Sequence, residues 1–242
     1  VTTSGTNLFN LDLNDIIEEA FERCGVEVRT GYEHRTARRS LNLLTIEWAN
    51  RGINLWTIEQ GQIAMVQGQI VYNLPLDTID LLDQVIRTQT GVEQTDINIS
   101  RISVSTYATI PNKNAQGRPI QVWVNRQSGE TYPAGSNFSP NATANPTINV
   151  WPAPDQNNYY TFVYWRLRRI QDSGNGTATQ DIPFRMLTCL VAGLAYYLSL
   201  KIPEAANRIE MLKMAYEEQW ALASSEDREK ASLRLTPREM FY

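Results

Sequence analysis

The chain is poor in the side chains that usually run chemistry. Among 242 residues there is one histidine, His34, and two cysteines, Cys24 and Cys189. A zinc site draws three or four ligands from Cys, His and carboxylate, and one imidazole with two distant thiols does not supply the usual sets. The cysteines form no CxxC pair and fall on apolar stretches, the setting of buried free thiols rather than of a disulfide framework. A Ser-His-Asp triad would need His34, yet no G-x-S-x-G occurs and the surrounding GYEHRTARR is crowded with cations. His34 is read instead as a solvated helix-surface residue. No P-loop is present, and Gly174-Asn-Gly176 lacks the third glycine and the strand-to-helix setting of a dinucleotide fingerprint, so it reads as a turn.

A basic excess is missing too. Lys and Arg total 22 against 26 Asp and Glu, a formal net charge of −4, which argues against a surface that grips nucleic acid wholesale. The first residues, VTTSGTNLFNLDLND, carry neither a basic nor an apolar signal region, so no signal peptide is expected and the N-x-[ST] triplets, such as Asn98-Ile-Ser100, carry little weight. The most apolar stretch, DIPFRMLTCLVAGLAYYLSLKIP at 181–203, is interrupted by Arg185, Thr188, Gly193, Ser199 and Lys201, which argues against the ~20 apolar residues of a membrane span. It reads as the central helix of a bundle. Asp181 is placed to cap it, Pro183 to occupy its first turn and Pro203 to end it. A helix apolar around most of its circumference requires neighbours on several sides.

What the chain does have is an ordinary globular composition, 42% hydrophobic and 20% charged. Its six Trp and eleven Tyr favour packed interfaces as well as cores. Helical spacing of Leu13, Ile16, Ile17, Ala20, Phe21 and Cys24 predicts a first helix over about 14–24, with Asp12 and Asp15 as a capping pair and Gly25 just beyond its end. Ala37, Leu41, Leu44 and Trp48 mark a second over 31–50, with Arg35, Arg38 and Arg39 on its outer face. After Trp56 the period shortens. Strands are expected at 62–66, 69–74, 84–90, 97–102, 120–126, 147–151 and 159–168, with short helices or turns at 76–82 and 103–110. Seven short strands suit a small sandwich. In the last, Tyr160, Phe162 and Tyr164 alternate with Tyr159, Val163 and Trp165, so both faces should be covered. A polar stretch at 127–146 has no clear element and reads as a functional or mobile loop. The helical pattern returns over 204–224, followed by a charged segment and a short basic and apolar tail.

The resulting fold class is α+β: a discontinuous four-helix bundle with an inserted antiparallel β-sandwich-like domain and an extended C-terminal arm. The divisions are a first half of the bundle at 1–58, the β-rich domain at 59–175, the second half of the bundle at 176–230 and the arm at 231–242.

Three groups deserve a chemical reading. Asp77, Asp80 and Asp83 recur every third residue, as metal-holding or acid–base carboxylates would, but the spacing also fits a short capped helix with one acidic side. Arg35, Arg38 and Arg39, and separately Arg166, Arg168 and Arg169, form cationic clusters fit for carboxylates on neighbouring helices or on another subunit. Trp123, Tyr132 and Trp151 offer a sugar-stacking surface, which supports an alternative reading as a carbohydrate- or surface-binding β-sandwich module. A hydrolase working through the three aspartates lacks any base–nucleophile pair.

Several stretches taken together resemble a known family. SLNLLTIEWANRGINLWTIEQG, VYNLPLDTIDLLDQVIRT, ISVSTYATIPNKNAQGRP, RLRRIQDSG and AYEEQWALASSEDREKASLRLTPR are similar to the head-to-tail adaptor proteins of tailed bacteriophages, the tail tubular protein A-like group, from about Leu11 to Arg238. The resemblance implies a structural virion protein rather than an enzyme, without catalytic residues, cofactors or metal. It implies a homo-oligomeric ring, twelve subunits in related proteins, seated beneath the portal protein at the capsid's portal vertex. Tail or nozzle proteins would bind on the other side, and DNA would pass through the lumen during packaging and ejection. It also implies a terminal segment reaching into the portal, here carried by Leu233, Arg234, Leu235, Arg238, Phe241 and Tyr242. Arg38, Arg39 and Trp165 are the expected subunit contacts.

Overall fold

The computed structural model describes residues 3–6, 9–52, 55–89, 91–126 and 145–227. Leu233, Arg234, Leu235, Arg238, Phe241 and Tyr242 of the expected docking arm, and Tyr132 with most of the 127–146 stretch, lie outside the described residues. The chain is mixed α+β, with five α-helices and two four-stranded sheets among the described residues. It separates into two compact units, 1–56 with 170–242, and 57–169.

In the first unit, α1 (Leu13–Cys24) begins at a reciprocal cap: Asp15 N donates to Asp12 Oδ1 at 2.9 Å while Asp12 N reaches Asp15 Oδ2 at 3.4 Å. Its first free N–H groups are met by the return of the chain, since Leu13 N and Asn14 N donate to the carbonyls of Ala178 and Gly176, each at 3.1 Å. Gly25 closes the helix at φ 82°, a conformation that favours glycine. Helix α2 (Gly31–Asn50) starts at a Thr30–Glu33 capping box and buries Ala37, Leu41, Leu44 and Trp48 on one stripe.

The apolar stretch forms α4 (Leu187–Ser199), which buries ten of its thirteen residues. It starts later than Asp181. Pro183 is extended and a 3-10 turn at Phe184–Met186 precedes the helix. Asp181 does not cap it, because its groups tie down the incoming chain: the carbonyl accepts from Trp56 Nε1 at 3.0 Å and the carboxylate from Gln171 N at 3.1 Å. Ser173 N is likewise bonded to Asn42 Oδ1 at 2.9 Å. These bonds join the return segment to the helical unit before position 175. Pro203 sits at the start of a 3-10 turn, Pro203–Arg208, that leads into α5 (Ile209–Glu226).

Residues of α1, α2, α4 and α5 share one apolar cluster. Polar ties lie within it. The Tyr216 hydroxyl accepts from Trp48 Nε1 at 3.1 Å and donates to Glu47 Oε1 at 3.3 Å, and Tyr197 donates to Glu47 Oε2 at 2.6 Å. Arg51 pairs with Glu47 and Glu217 at 2.5 and 3.1 Å and lies 4.6 Å over the Trp220 ring. One carboxylate on α2 thus holds tyrosines from α4 and α5. Helix α4 approaches these neighbours through Gly193, where a Cβ would stand 2.9 Å from both Leu44 Cδ2 and Tyr216 Cε2.

In the second unit, one sheet runs β1 (Ile58–Ala64), β8 (Tyr160–Arg168), β3 (Thr78–Thr88), β4 (Thr95–Asn98). The other runs β2 (Val71–Asn73), β7 (Thr147–Trp151), β6 (Gln121–Asn125), β5 (Ser100–Arg101), with only β5 and β6 parallel. Both sheets feed one apolar cluster containing Phe162, Ile86, Val122 and Ile148. The aromatics Tyr160, Phe162 and Tyr164 of β8 all enter it, and on the opposite face Val163 is also buried while Trp165 is half-buried. Tyr164 lies across Gly61, its register partner on β1.

Two expectations change here. Of residues 76–82, expected as a short helix or turn, only 76–77 form a turn: β3 begins at Thr78 and pairs with β8. Register shifts between Thr78 and Asp80 and between Leu81 and Asp83 bury Thr78, Leu81 and Gln84 at a spacing of three, which imitates a helical turn in the sequence. The strand expected at 97–102 splits at buried Ile99 into β4 and β5, which belong to different sheets. The helix in the 103–110 segment is α3 (Val104–Ala108), capped by Ser103.

Burial pushes the Cys24 thiol up to about 11 and the Cys189 thiol to about 12, so neither is a thiolate near neutrality. A maleimide or disulfide probe at pH 8 should label neither cysteine in the native chain and both after urea unfolding. Gly193→Val should lower unfolding free energy by about 1–3 kcal/mol through overpacking against Leu44 and Tyr216, measured by urea titration.

Candidate functional site

The residues weighed for chemistry do not converge. His34 is half-buried on α2, beside a cavity of about 250 Å³ whose lining includes Asn14, Arg38 and Gly176. The three aspartates go to separate partners. Asp77 precedes β3 and binds Arg166 at 2.5 Å, Asp80 binds Arg101 and Arg126 at 2.7 and 3.2 Å, and Asp83 Oδ1 accepts from Gln84 N at 2.8 Å. Asp80 and Asp83 lie on a bulged strand, with Asp77 in the turn before it, rather than on a capped helix. Among the described residues no group of three or more His, Cys, Asp or Glu is placed to hold a metal ion.

The aromatics of the sugar-binding alternative are engaged within the chain. Trp123 on β6 stacks on Tyr107 of α3 with ring centroids 5.3 Å apart, and Trp151 on β7 donates its Nε1–H to the Asn112 carbonyl at 3.0 Å. Their exposed alternation in the sequence gave no sign that 103–112 would lie over them.

Two members of the second arginine cluster are consumed as well, while Arg169 is exposed. Arg166 is buried and reaches Asp77, Thr78 Oγ1 at 3.0 Å and Glu59 at 2.8 Å, while Arg168 binds Glu59 at 2.6 Å. Two carboxylates from beyond β8 therefore neutralise a cation that would be costly to bury alone. Arg166 in turn holds the Asp77 carboxyl below the usual aspartate range. Trp165 precedes these arginines on β8, paired with Gln60 and Asp83.

The first cluster is different. Core packing of Ala37, Leu41, Leu44 and Trp48 turns the opposite side of α2 outward. Tyr32, Arg35, Arg39, Leu43 and Ile46 occupy that side, all exposed, with Arg38 at its margin. Tyr32, Arg35, Arg38, Arg39, Asn42 and Ser173 line an open cleft of about 620 Å³. The Ser173 hydroxyl is buried there without a hydrogen-bond partner among the described residues. Arg39 donates to Thr36 Oγ1 at 3.3 Å, and among the described residues Arg35, Arg38 and Arg39 make no ion pair. The sequence singled out Arg38 and Arg39, but missed Leu43 and Ile46. Their spacing from Tyr32 and Arg39 was the available signal.

A second exposed stripe runs along α5, turned away from buried Leu212, Tyr216 and Ala223: Met211, Met214, Glu218 and Leu222, with Glu210 and Glu217 beside it. Met214 is 74% exposed, against 58% for both Met211 and Leu222. Two helix faces thus combine apolar and charged side chains in the mixture typical of contacts between proteins. No helix among the described residues is long and apolar enough to cross a membrane.

A protein-family model described as SU10 adaptor protein matches residues 11–238. No curated protein matches the chain.

The Arg166 network yields a pH-dependent expectation. A carboxyl whose folded pKa is depressed stabilises the fold above its unfolded pKa and loses that contribution as pH falls through the folded value. Asp77 is such a group, with an ordinary value of 3.8. Arg166→Met should cost about 1–2 kcal/mol at pH 7, since half-exposed Asp77 loses its cation while Glu59 keeps Arg168. The gap from wild type should narrow as pH falls below 3.8, as followed by urea unfolding; a constant gap across that range contradicts the assignment.

Proposed function

The chain belongs to the SU10 adaptor protein family, and on that premise we propose that it is a ring-forming head-to-tail adaptor of a tailed bacteriophage. It joins the portal to the tail and encloses part of the DNA conduit. The observation that carries this reading is the extent of the match. Residues 11–238 take in both compact units and the segment holding Leu233, Arg234, Leu235 and Arg238.

In this reading α1, α2, α4 and α5 form a four-helix bundle, and the two sheets an inserted sandwich-like domain. The 231–242 arm, with Leu233, Arg234, Leu235, Arg238, Phe241 and Tyr242, enters the portal. Tail or nozzle proteins bind the opposite side of a twelve-membered ring at the portal vertex of the virion. Arg38, Arg39 and Trp165 serve contacts between copies. The role is structural, and no side chain is assigned to catalysis.

Physical chemistry supports the assignment. A cyclic ring is built from heterologous contacts, so each copy needs two different complementary faces. A conduit through which DNA slides benefits from few fixed phosphate contacts, because each one releases counterions and strengthens retention. A net charge of −4 suits that task.

The test is deletion of 231–242 followed by a pull-down with the portal protein of the same phage. The shortened chain should keep its circular dichroism and thermal transition and lose portal binding. Portal capture equal to that of the full chain would remove the docking role from the arm.

A further inference from the structure

We propose that the outer face of α2 docks on the outer face of α5 of a second copy of this chain, with Arg39 opposite Glu218 at the centre of the contact. The inference rests on the ring reading above and specifies which faces close the ring.

The two faces are built to the same pattern. On α2 the exposed stripe is Tyr32, Arg35, Arg39, Leu43, Ile46; on α5 it is Met211, Met214, Glu218, Leu222, Ser225. Both step along the helix by three, four, four and three residues, the spacing that keeps side chains on one seam. Arg39 and Glu218 are each the middle residue of their stripe. Laying one stripe on the other therefore brings them together whether the helices run in the same or in opposite senses. Apolar side chains lie at both seams, and Met211 and Met214 supply flexible surface that adapts to a neighbour.

The charges are complementary. The α2 face carries Arg35, Arg38 and Arg39, and the α5 face carries Glu210, Glu217 and Glu218. Within the chain Glu217 is bound to Arg51, whereas Arg35, Arg38, Arg39, Glu210 and Glu218 have no ion-pair partner among the described residues. Complementary potentials of this kind set register and reject wrong pairings.

A second copy is the occupant because the chain's own helices cannot satisfy each other. Helices α2 and α5 already meet on their inner sides, through Trp48 with Tyr216 and Arg51 with Glu217. Their outer faces turn away from the core stripes that make those contacts. The α5 of another molecule can reach this α2 face, and the contact it makes is heterologous, leaving one free face of each kind to repeat the step. Nucleic acid fits the α2 face less well, since Leu43 and Ile46, 54% and 57% exposed, offer nothing to phosphate.

The test is a charge exchange on the full chain. Self-association is followed by sedimentation velocity and native mass spectrometry, and folding by circular dichroism. Arg39→Glu and Glu218→Arg should each weaken association about tenfold or more, since each sets like charges opposite one another. The double variant should recover it. So should an equimolar mixture of the two single variants, because each presents the face the other needs. Single variants that associate like wild type, or a double variant without recovery, overturn the interface. So does a wild type that remains monomeric up to about 1 mM, where contacts worth only about 4 kcal/mol would register. Salt-sensitive binding of duplex DNA that Arg39→Glu abolishes and Glu218→Arg does not restore would instead identify a phosphate-binding face and refute the proposal. Portal capture by all variants, with no effect of the exchange on association, rejects this contact while the adaptor reading stands. A wild type that neither associates nor binds portal sinks the adaptor reading itself.

Discussion

The helical unit depends on enclosing α4. A helix with Cys189, Leu190, Leu194, Ala195 and Leu198 all buried has no side to give to water, so it folds only when neighbours arrive from more than one direction. The chain supplies them from both of its ends. Helices α1 and α2 come before the β unit, and α5 follows α4 directly. The β unit is consequently an insertion in a core whose halves are more than a hundred residues apart in sequence. Gly193 makes the enclosure close, and Glu47 makes it specific by holding hydroxyls from α4 and α5 and the Arg51 guanidinium at one carboxylate. Buried polar groups of this kind cost little only when each finds a partner, and this network supplies one to Trp48, Tyr197 and Tyr216 alike.

The same reasoning sorts the charged residues. Arg166 and Arg168 look as available in the sequence as Arg38 and Arg39, yet Glu59 and Asp77 complete them. That cluster is part of what holds β8 to its neighbours. Arg35, Arg38 and Arg39 lie opposite a core stripe and make no ion pair among the described residues. An arginine that the fold does not use is a candidate for use between molecules, since its planar fork suits carboxylates at interfaces. Trp123 and Trp151 fall on the side of Arg166: large side chains that read as a binding surface and are occupied internally.

A structural adaptor is consistent with this distribution. Among the described residues, His34, Asp77, Asp80 and Asp83 do not gather at one place. Mixed apolar and charged stripes face water on α2 and α5. The proposed role draws on these unsatisfied faces.

Helices α1, α2 and α5, the buried character of the 187–199 stretch, and most strands were legible in the sequence, because periodicity records which side of an element meets the core and caps record where it starts. Asp12, Thr30 and Gly25 act locally, and local rules found Asp12 and Gly25. The resemblance to phage adaptors was likewise carried by ordered stretches along one chain. What needed the tertiary structure was every feature made by residues distant in sequence. The bulges of β3 altered its period, so Thr78, Leu81 and Gln84 imitated a helix until β8 was seen beside them. Asp181 surrendered its capping role to Trp56 and Gln171. Whether an arginine was spent or free depended on carboxylates 89 or 107 residues away. Local propensity is written in neighbouring residues, whereas the pairing of charges and the covering of faces exist only once the chain has closed on itself.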